Sequence, residues 1–378
     1  MRARRPTGWL LLLLLGSASV AKAERVVCSF NIQFLGNAPL RDASGLARLL
    51  SAERCDLVVV QELVAPPAAA IVARTQLTHF DPLPGEAFDE LSAADQKLAG
   101  PRDQALQFPR LGNRPPVPLR ASEASTRFFE AMAEVGFGDF ILSEEKTGPK
   151  TTNTNANASE WWVVFFKKDR VRVAPDLPHG FLSDVRVKHP DFERVPYAFP
   201  FRSQDDGFDF VIISTHLKPD DGPKARARRG VELAAIRRWI NTNSGTEKDF
   251  VVLGDMNIED AEELGDHLDA EADPWDSLNA ACVATNTASN GKPYDHVLIA
   301  RDHTSEAEVP PAVESRPNFT VVNLRDAFRA GWPPEEGPYP GGTTSGAGYD
   351  HNKFRARYSD HHPVRFVIHE DAKDDDGH

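Results

Sequence analysis

Short apolar runs rich in β-branched residues constrain the fold of this 378-residue chain more than any other feature. Each has the length of a buried strand and ends at polar groups. The predicted strands are Val26–Asn31, Leu57–Glu62, Trp161–Phe166, Phe210–His216, Phe250–Asp255, His296–Ala300 and Val364–Ile368. Helical patterns lie between them, at Ala43–Ala52, Ser125–Val135 and Ala225–Ile240. Strands that alternate with helices predict an α/β protein with mixed β-sheets.

Three segments have the composition of loops or insertions: residues 65–120, residues 147–159 and Pro333–Gly348. None of them separates two self-sufficient hydrophobic cores. We therefore predict one domain over residues 24–369, with an insertion around 65–120. Residues 370–378 are predominantly acidic, and we predict a disordered tail there.

The first 23 residues have the pattern of a signal peptide. Arg2–Arg5 is basic, Trp9–Val20 is apolar but short for a membrane span, and Ala21–Ala23 resembles a small-residue cleavage site. The alternative is a retained anchor helix. We predict a soluble protein that is secreted or periplasmic and has no stable membrane association.

The charge of the chain limits how it can bind a polyanion. The formal net charge is −13, so bulk attraction to nucleic acid is excluded. Affinity for a phosphate backbone must then come from local basic patches and bound cations.

The three cysteines are Cys28, Cys55 and Cys282. If the first two strands lie side by side with their ends level, Cys28 and Cys55 are offset by about four residues, or ~13 Å. That separation exceeds what a disulfide can bridge. We therefore predict buried free thiols.

Polar groups that can bind a metal ion or a phosphate flank every predicted strand. They are Asn31; Gln61 and Glu62; Glu160; Thr215 and His216; Asp255 and Asn257; Asp295; and Asp360 with His361. Loops at the strand edges of open α/β sheets can converge on one crevice. We expect these side chains to meet there.

The chemistry of these groups favours phosphate-ester hydrolysis. That reaction needs a cation on carboxylate oxygens, a group that orients water, donors for the oxyanion and a proton for the leaving oxygen. The chain has no Gly-x-Ser-x-Gly or Cys-x-x-Cys motif that would support serine or cysteine chemistry. The oxygen-rich set also argues against zinc.

Taken together, the motifs resemble those of the endonuclease/exonuclease/phosphatase superfamily, from about residue 25 to residue 369. The matching segments are Cys28–Asn31, Gln61–Glu62, Ser214–Leu217, Leu253–Asn257, Tyr294–Leu298 and Ser359–Pro363. The resemblance implies a four-layer αββα sandwich in which two mixed β-sheets pack face to face.

The resemblance also implies a metal site. Glu62 would be the principal Mg²⁺ ligand, and Asp360 and Asn31 would complete or support the site. Mn²⁺ is a possible substitute, and Ca²⁺ is a further possibility.

The remaining motif residues take catalytic roles by the same resemblance. Asp255 would orient the attacking water, and Asn257 would hold a phosphate oxygen. His216 and His361 would flank the scissile phosphate as donors or as an acid–base pair. Carboxylates would orient both rings, which fixes the tautomer and raises the basicity of the other nitrogen. These partners are Glu160 for the first ring and Asp295 for the second.

Departures from the pattern bear on the substrate. Pancreatic-type deoxyribonucleases have DNA-contacting arginines where this chain has Gln33 and Val64. Arg355 and Arg357 are candidate contacts to a nucleic-acid backbone. The run Lys224–Arg229 is either another such contact or a solvated helix start.

These observations predict a secreted, Mg²⁺-dependent nuclease that hydrolyses phosphodiester bonds of nucleic acid, with DNA as the expected substrate. One alternative is a secreted metal-dependent phosphoesterase acting on a phospholipid or a small phosphorylated metabolite. A second is a catalytically inactive relative that serves as a binding module. The sequence does not identify a protein partner.

Overall fold

A computed structural model describes residues 24–107, 118–148, 159–186, 188–205, 207–268, 275–300, 307–313, 316–339 and 349–370. The predicted signal peptide and residues 371–378 lie outside these ranges. Glu370, which we assigned to the acidic tail, is instead the last residue of a strand. None of the helices in the described ranges combines the length and apolarity that a membrane crossing requires.

The first large sheet contains both termini of the described chain. Its strands, in spatial order, are β14 (Ala307–Glu308), β18 (Val364–Glu370), β1 (Glu24–Leu35), β2 (Leu57–Leu63), β6 (Trp161–Phe166) and β5 (Asp139–Leu142), and β17 (Thr320–Val321) also pairs with β18. β1 and β2 are parallel, whereas β18 and β6 run antiparallel to their neighbours. The sheet is therefore mixed.

The second large sheet has the same mixed character. Its strands, in spatial order, are β12 (Trp275–Ser277), β13 (Asp295–Ala300), β11 (Phe250–Asp255), β10 (Asp209–His216), β9 (Tyr197–Ser203) and β7 (Val171–Val173), and β8 (Gly180–Phe181) also pairs with β9. β10 and β11 form the parallel pair, and the other pairs are antiparallel.

Helices cover the outer faces of both sheets. The longer helices are α1 (Ala43–Ala52), α5 (Glu123–Glu134), α6 (Pro223–Asn243) and α7 (Ala261–Leu268), and two shorter ones, α8 (Leu324–Phe328) and α9 (His351–Arg357), lie late in the chain. Asp42 and Ser122 cap the starts of α1 and α5, because their side chains accept hydrogen bonds from backbone amides of the first turn.

Alternating side chains divide the core into layers. In β2, Val59 faces the second sheet, whereas Val58 and Val60 pack against α1 and α5. In β10, Ile212 faces the first sheet, whereas Ile213 packs with side chains of α6. Successive residues of a strand point to opposite faces, so strands buried on both faces are apolar throughout. The predicted four-layer αββα sandwich is confirmed.

The predicted insertion contains more regular structure than its sequence indicated. Its described part holds α2 (Ala69–Val72), α3 (Gly85–Asp89), α4 (Ala93–Ala99) and the paired strands β3 (Asp81–Pro82) and β4 (Leu106–Gln107). Four of its residues form a separate small core: Leu83, Phe88, Ala99 and Ala105. A further strand pair, β15 (Ala312–Val313) with β16 (Arg316–Pro317), and a 3₁₀ turn at Pro334–Glu336 lie outside the main sheets.

Cys28 and Cys55 form a disulfide, so the prediction of free thiols was wrong for this pair. Our prediction aligned the ends of the strands, but Cys28 pairs with Val58 and Cys55 precedes β2. The loop before β2 folds back onto β1, where the Asp56 amide donates to the Val26 carbonyl at 2.7 Å. The two Cα atoms are then 5.8 Å apart. Cys282 is free.

Removing this disulfide should lower the free energy of unfolding by about 3–4 kcal/mol, since its cysteines are 27 residues apart and closing such a loop restricts the unfolded chain. The change is the double substitution Cys28→Ala and Cys55→Ala, measured by urea denaturation. Cys282→Ala is the matched control and should change stability little. If reductant destabilises the double variant as much as the unsubstituted protein, the bridge is not the cause.

Candidate active site

The site lies where the two sheets meet at the carboxyl ends of their parallel strands. Asn31 pairs with Gln61 at the end of β1 and β2, and His216 pairs with Asp255 at the end of β10 and β11. A hydrogen bond of 2.9 Å from Asn31 Nδ2 to Asp255 Oδ2 joins the two sheets. The predicted groups therefore converge on one crevice.

Asp255 occupies the centre of the cluster and is buried. The Nε2 atoms of His216 and His361 each lie 3.5 Å from its Oδ2. Its Oδ1 accepts a hydrogen bond of 3.0 Å from the Asn257 backbone amide. The Asn257 side chain donates to the Leu217 carbonyl at 3.2 Å, so one of its two amide protons is engaged within the protein.

A carboxylate lies behind each imidazole. Oε1 of Glu160 is 3.0 Å from Nδ1 of His216. Oδ2 of Asp295 is 2.8 Å from Nδ1 of His361. Both rings thus turn Nδ1 to a buried carboxylate and Nε2 to Asp255. Asp295 fixes the His361 ring through a hydrogen bond, whereas Glu160 contacts His216 as an ion pair without hydrogen-bond geometry.

The carboxylates raise the proton affinity of both rings. Burial, the largest influence, lowers the pKa of His361, but Asp295 and Asp255 outweigh it and hold the pKa well above its ordinary value. Burial and Arg194 lower the pKa of His216, whereas Glu160 and Asp255 raise it, with a net increase. His361 is therefore suited to donate a proton near neutral pH.

Glu62 lies at the mouth of the cluster in a left-handed backbone conformation, with φ of 63°. Its amide donates to Glu160 Oε2 at 2.6 Å. Its carboxylate accepts from Asn31 Nδ2 at 3.1 Å and from the Phe34 amide at 2.9 Å. Burial raises the pKa of Glu62, which marks a carboxylate that lacks full compensation for its negative charge.

The donor atoms of Glu62, His216 and Asp255 fit a divalent cation, because one atom from each lies within 4.8 Å of the others. Asn31 Oδ1 is buried beside them and has no hydrogen-bond partner among the described residues. The two carboxylates and the amide oxygen suit Mg²⁺ or Mn²⁺, whereas the raised pKa of His216 favours a proton donor over a ligand. This grouping differs from the predicted set of Glu62, Asp360 and Asn31.

Asp360, the third predicted ligand, is hydrogen-bonded to Gln33. Its Oδ2 accepts a hydrogen bond of 2.5 Å from Gln33 Nε2. The neighbouring Ser359 hydroxyl donates to the Asn31 carbonyl at 2.8 Å and so ties this loop to β1. Asp360 therefore lies beside the cluster, and its role as a ligand stays a prediction.

Gly254 sets the spacing between the strands that carry His216 and Asp255. Its φ is +136°, and a Cβ atom at this position would lie 2.0 Å from the Thr215 carbonyl oxygen. Only glycine accommodates both the conformation and the close approach.

The Endonuclease/Exonuclease/phosphatase family profile matches residues 28–361. The chain belongs to this family. It is also similar to a deoxyribonuclease from Thioalkalivibrio sp. (strain K90mix), with 24% identity over 180 residues. Those residues are 46% of this chain and 42% of that protein, so the chain spans less than half of that relative.

Three solved structures, among others, align with most of this chain. The catalytic domain of human Nocturnin aligns with a TM-score of 0.47 and 13% identity, over 92% of this chain and 93% of that one. D. rerio TDP2, complexed with a single strand DNA product, gives 0.48 and 11%, over 92% and 99%. A mannosyl-6-phosphatase from Bacteroides thetaiotaomicron gives 0.44 and 12%, over 91% and 99%.

Sequence reasoning missed two arginines of this endonuclease/exonuclease/phosphatase family member. Arg194 is buried and its Nε lies 2.9 Å from Glu160 Oε1, so Glu160 serves both Arg194 and His216. Arg41 is buried and donates to the carbonyls of Gln33, Arg355 and Tyr358. Neither arginine lies in a predicted strand or motif, and no local pattern singles them out.

The basic residues that we predicted as nucleic-acid contacts lie in different surroundings in the structure. Arg229 is fully buried and its Nε donates to Glu263 at 2.6 Å, so at this position both readings of Lys224–Arg229 were wrong. The Arg357 guanidinium lies 5.6 Å from the centre of the Trp332 ring. Arg355 lines a cavity beside the cluster.

Proposed function

We propose that this protein is a divalent-cation-dependent phosphodiesterase that hydrolyses nucleic acid, with DNA as the expected substrate. One observation carries the proposal: two carboxylate-backed imidazoles place their Nε2 atoms 3.5 Å from the same Asp255 oxygen. Perturbed titrating groups gathered in one crevice are typical of catalytic sites. Membership of the endonuclease/exonuclease/phosphatase family supports the reaction class.

The side chains divide the chemistry among them. Asp255 orients a water molecule and accepts its proton. Burial raises the pKa of Asp255, but His361 and His216 outweigh it and lower the pKa, so the carboxylate is ionised. His361, protonated through its pairing with Asp295, donates a proton to the leaving oxygen. His216 and the free amide proton of Asn257 hold the non-bridging oxygens of the phosphate.

Glu62, Asp255 and Asn31 would hold the cation, and His216 would keep its Nε2 proton for the phosphate. When bound, the cation neutralises charge on the phosphate group. Glu62 is the ligand best suited to bind the cation. Burial raises its pKa because a buried negative charge is unfavourable, and a bound cation would compensate that charge. We propose Mg²⁺ as the physiological ion.

We further propose that the protein acts outside the cytoplasm, in the secreted or periplasmic fraction. The pattern of residues 1–23 supports this location. The Cys28–Cys55 disulfide supports it as well, because such bridges persist in oxidising compartments.

A substrate panel tests the proposal. Purified protein from residue 24 onward is incubated with plasmid, linear duplex, single-stranded DNA, RNA, phospholipid vesicles and inositol phosphates, first with Mg²⁺ and then with chelator. We expect cleavage of nucleic acid that stops with chelator and returns with added Mg²⁺. Asp255→Asn, purified identically, is the control for contaminating nuclease and should be inactive.

Two outcomes would overturn the proposal. Cleavage of phospholipid or inositol phosphate alone would favour the alternative phosphoesterase. A lack of cleavage of every substrate, with Mg²⁺ or with Mn²⁺, would favour a binding module.

A further inference from the structure

A cavity of about 450 Å³ opens directly beside the candidate metal site. We call it the β1–α1 cavity. One wall is the end of β1, with Gln33 and Phe34, and the loop that follows it, with Leu40. The other wall is α9, with Asn352 and Arg355. Its volume falls within the roughly 300–1,000 Å³ of ordinary ligand pockets.

The cavity and the metal site share hydrogen bonds. The Phe34 amide donates to Glu62 at 2.9 Å, and Gln33 Nε2 donates to Asp360 at 2.5 Å. A group in the cavity would therefore lie close to a phosphate at Glu62.

A buried arginine, Arg41, joins the two walls of the cavity. Arg41, 6% exposed, donates to the Gln33 carbonyl on one wall and to the Arg355 and Tyr358 carbonyls at the other. Burial lowers the pKa of Arg41 only to about 10, so the guanidinium stays charged and holds the two walls together near neutral pH.

Phe34 is unusual in both conformation and exposure. Its φ is 50°, a left-handed conformation that is uncommon for a bulky residue. The turn is closed by the Asn37 amide, which donates to the Phe34 carbonyl at 2.8 Å. The aromatic residue is 37% exposed at the cavity. A strained backbone that leaves an aromatic side chain open to solvent is typical of a binding position.

The lining chemistry matches a nucleobase attached to a phosphodiester. An exposed phenyl ring offers a stacking surface, and the side-chain amide of Asn352 can bond to base edges. Arg355 adds a positive charge, and the described lining residues include no carboxylate to repel a phosphate.

We infer that the β1–α1 cavity binds one unpaired base of the substrate strand, next to the scissile phosphate. This inference rests on the proposed function. A base inside a duplex is stacked and paired, so it must leave the helix to enter such a cavity. The enzyme therefore prefers single-stranded or frayed nucleic acid over intact duplex, and Phe34 is a specificity-determining residue.

Substrates with one missing base test the inference. Single-stranded oligonucleotides with one defined cleavage position receive a single abasic residue at successive positions around it. For the unsubstituted protein, kcat/KM should fall roughly 5- to 100-fold at one position next to the cut, the range expected for one stacked base. In Phe34→Ala, intact and abasic substrates should be cleaved at similar, reduced rates.

A control variant separates the loss of base stacking from a general loss of folding or activity. Val231→Ala removes a side chain of similar exposure, 43%, on α6, away from the cavity, and should leave the abasic profile unchanged. The melting temperatures of both variants are measured as a check on folding. The ratio of single-strand to duplex cleavage should fall in Phe34→Ala alone.

The outcomes distinguish this inference from the proposed function. Equal cleavage of single strand and duplex, or a flat abasic profile, overturns the inference while nuclease activity stands. Absence of all nucleic-acid cleavage overturns both. Loss of phospholipid cleavage in Phe34→Ala, with nucleic acid untouched, assigns the cavity to a lipid group and also overturns it.

Discussion

Glu62→Gln should lower Mg²⁺-dependent cleavage by roughly 10³-fold or more while leaving the fold at least as stable as before. The expected loss follows from the several kcal/mol that a bound divalent cation contributes to the transition state of a phosphate ester. Stability should not fall in the absence of metal, because burial raises the pKa of Glu62 and glutamine removes that uncompensated charge.

Calorimetric titration with Mg²⁺ and thermal melts with and without the ion check this prediction. Mg²⁺ should raise the melting temperature of the unsubstituted protein, since ligands that bind only the folded state stabilise it. It should not raise that of Glu62→Gln. Glu123→Gln is the control, because its side chain is 85% exposed at the start of α5. An unchanged Mg²⁺ response in Glu62→Gln would remove this residue from the metal site.

Asp295→Asn should lower kcat roughly 10²- to 10⁴-fold, the range expected when general acid catalysis is impaired. It should also change the pH profile. Asp295 raises the pKa of His361, so its neutral replacement lowers that pKa. If His361 acts as the acid, activity is lost as pH rises through its pKa, and in the variant this loss moves to lower pH.

Profiles of kcat from pH 5 to pH 10 measure this shift. Asp209→Asn is the matched control: Asp209 is also buried and paired, with Arg202, but it lies at the start of β10 away from the crevice. It should lower stability and leave the profile in place. Combining Asp295→Asn with His361→Gln should cost little beyond His361→Gln alone, since the carboxylate acts through the ring. Additive losses would show that Asp295 acts independently.

The strands and helices with the strongest patterns could be predicted from sequence. Trp161–Phe166, Phe250–Asp255 and Ala43–Ala52 have the predicted bounds. The two strands are buried on both faces and are therefore apolar almost throughout, whereas the helix buries one face, with Leu46 and Leu50. Tyr197–Ser203 was missed because Pro200 lies within it, and a proline argues against an internal strand.

The site could be predicted as a set of residues together with two of its contacts, Glu160 with His216 and Asp295 with His361. Strand ends indicate which groups face the crevice, so the sequence places Glu62, His216, Asp255 and His361 there. The sequence does not show which other side chains donate hydrogen bonds to these carboxylates or pair with them. Gln33 donates a hydrogen bond to Asp360, and Arg194 forms an ion pair with Glu160. Neither contact could be predicted, because each joins segments that come close only in the folded chain.

The pairing of β1 with β18 has a consequence for biosynthesis. Residues 24–29 lie against 364–369, and His361 reaches Asp255 only when this last strand is in place. A nascent chain on the ribosome therefore holds an incomplete cluster until residues 361–369 have emerged. Chains truncated before residue 361 should therefore lack the complete cluster, even where their other strands have formed.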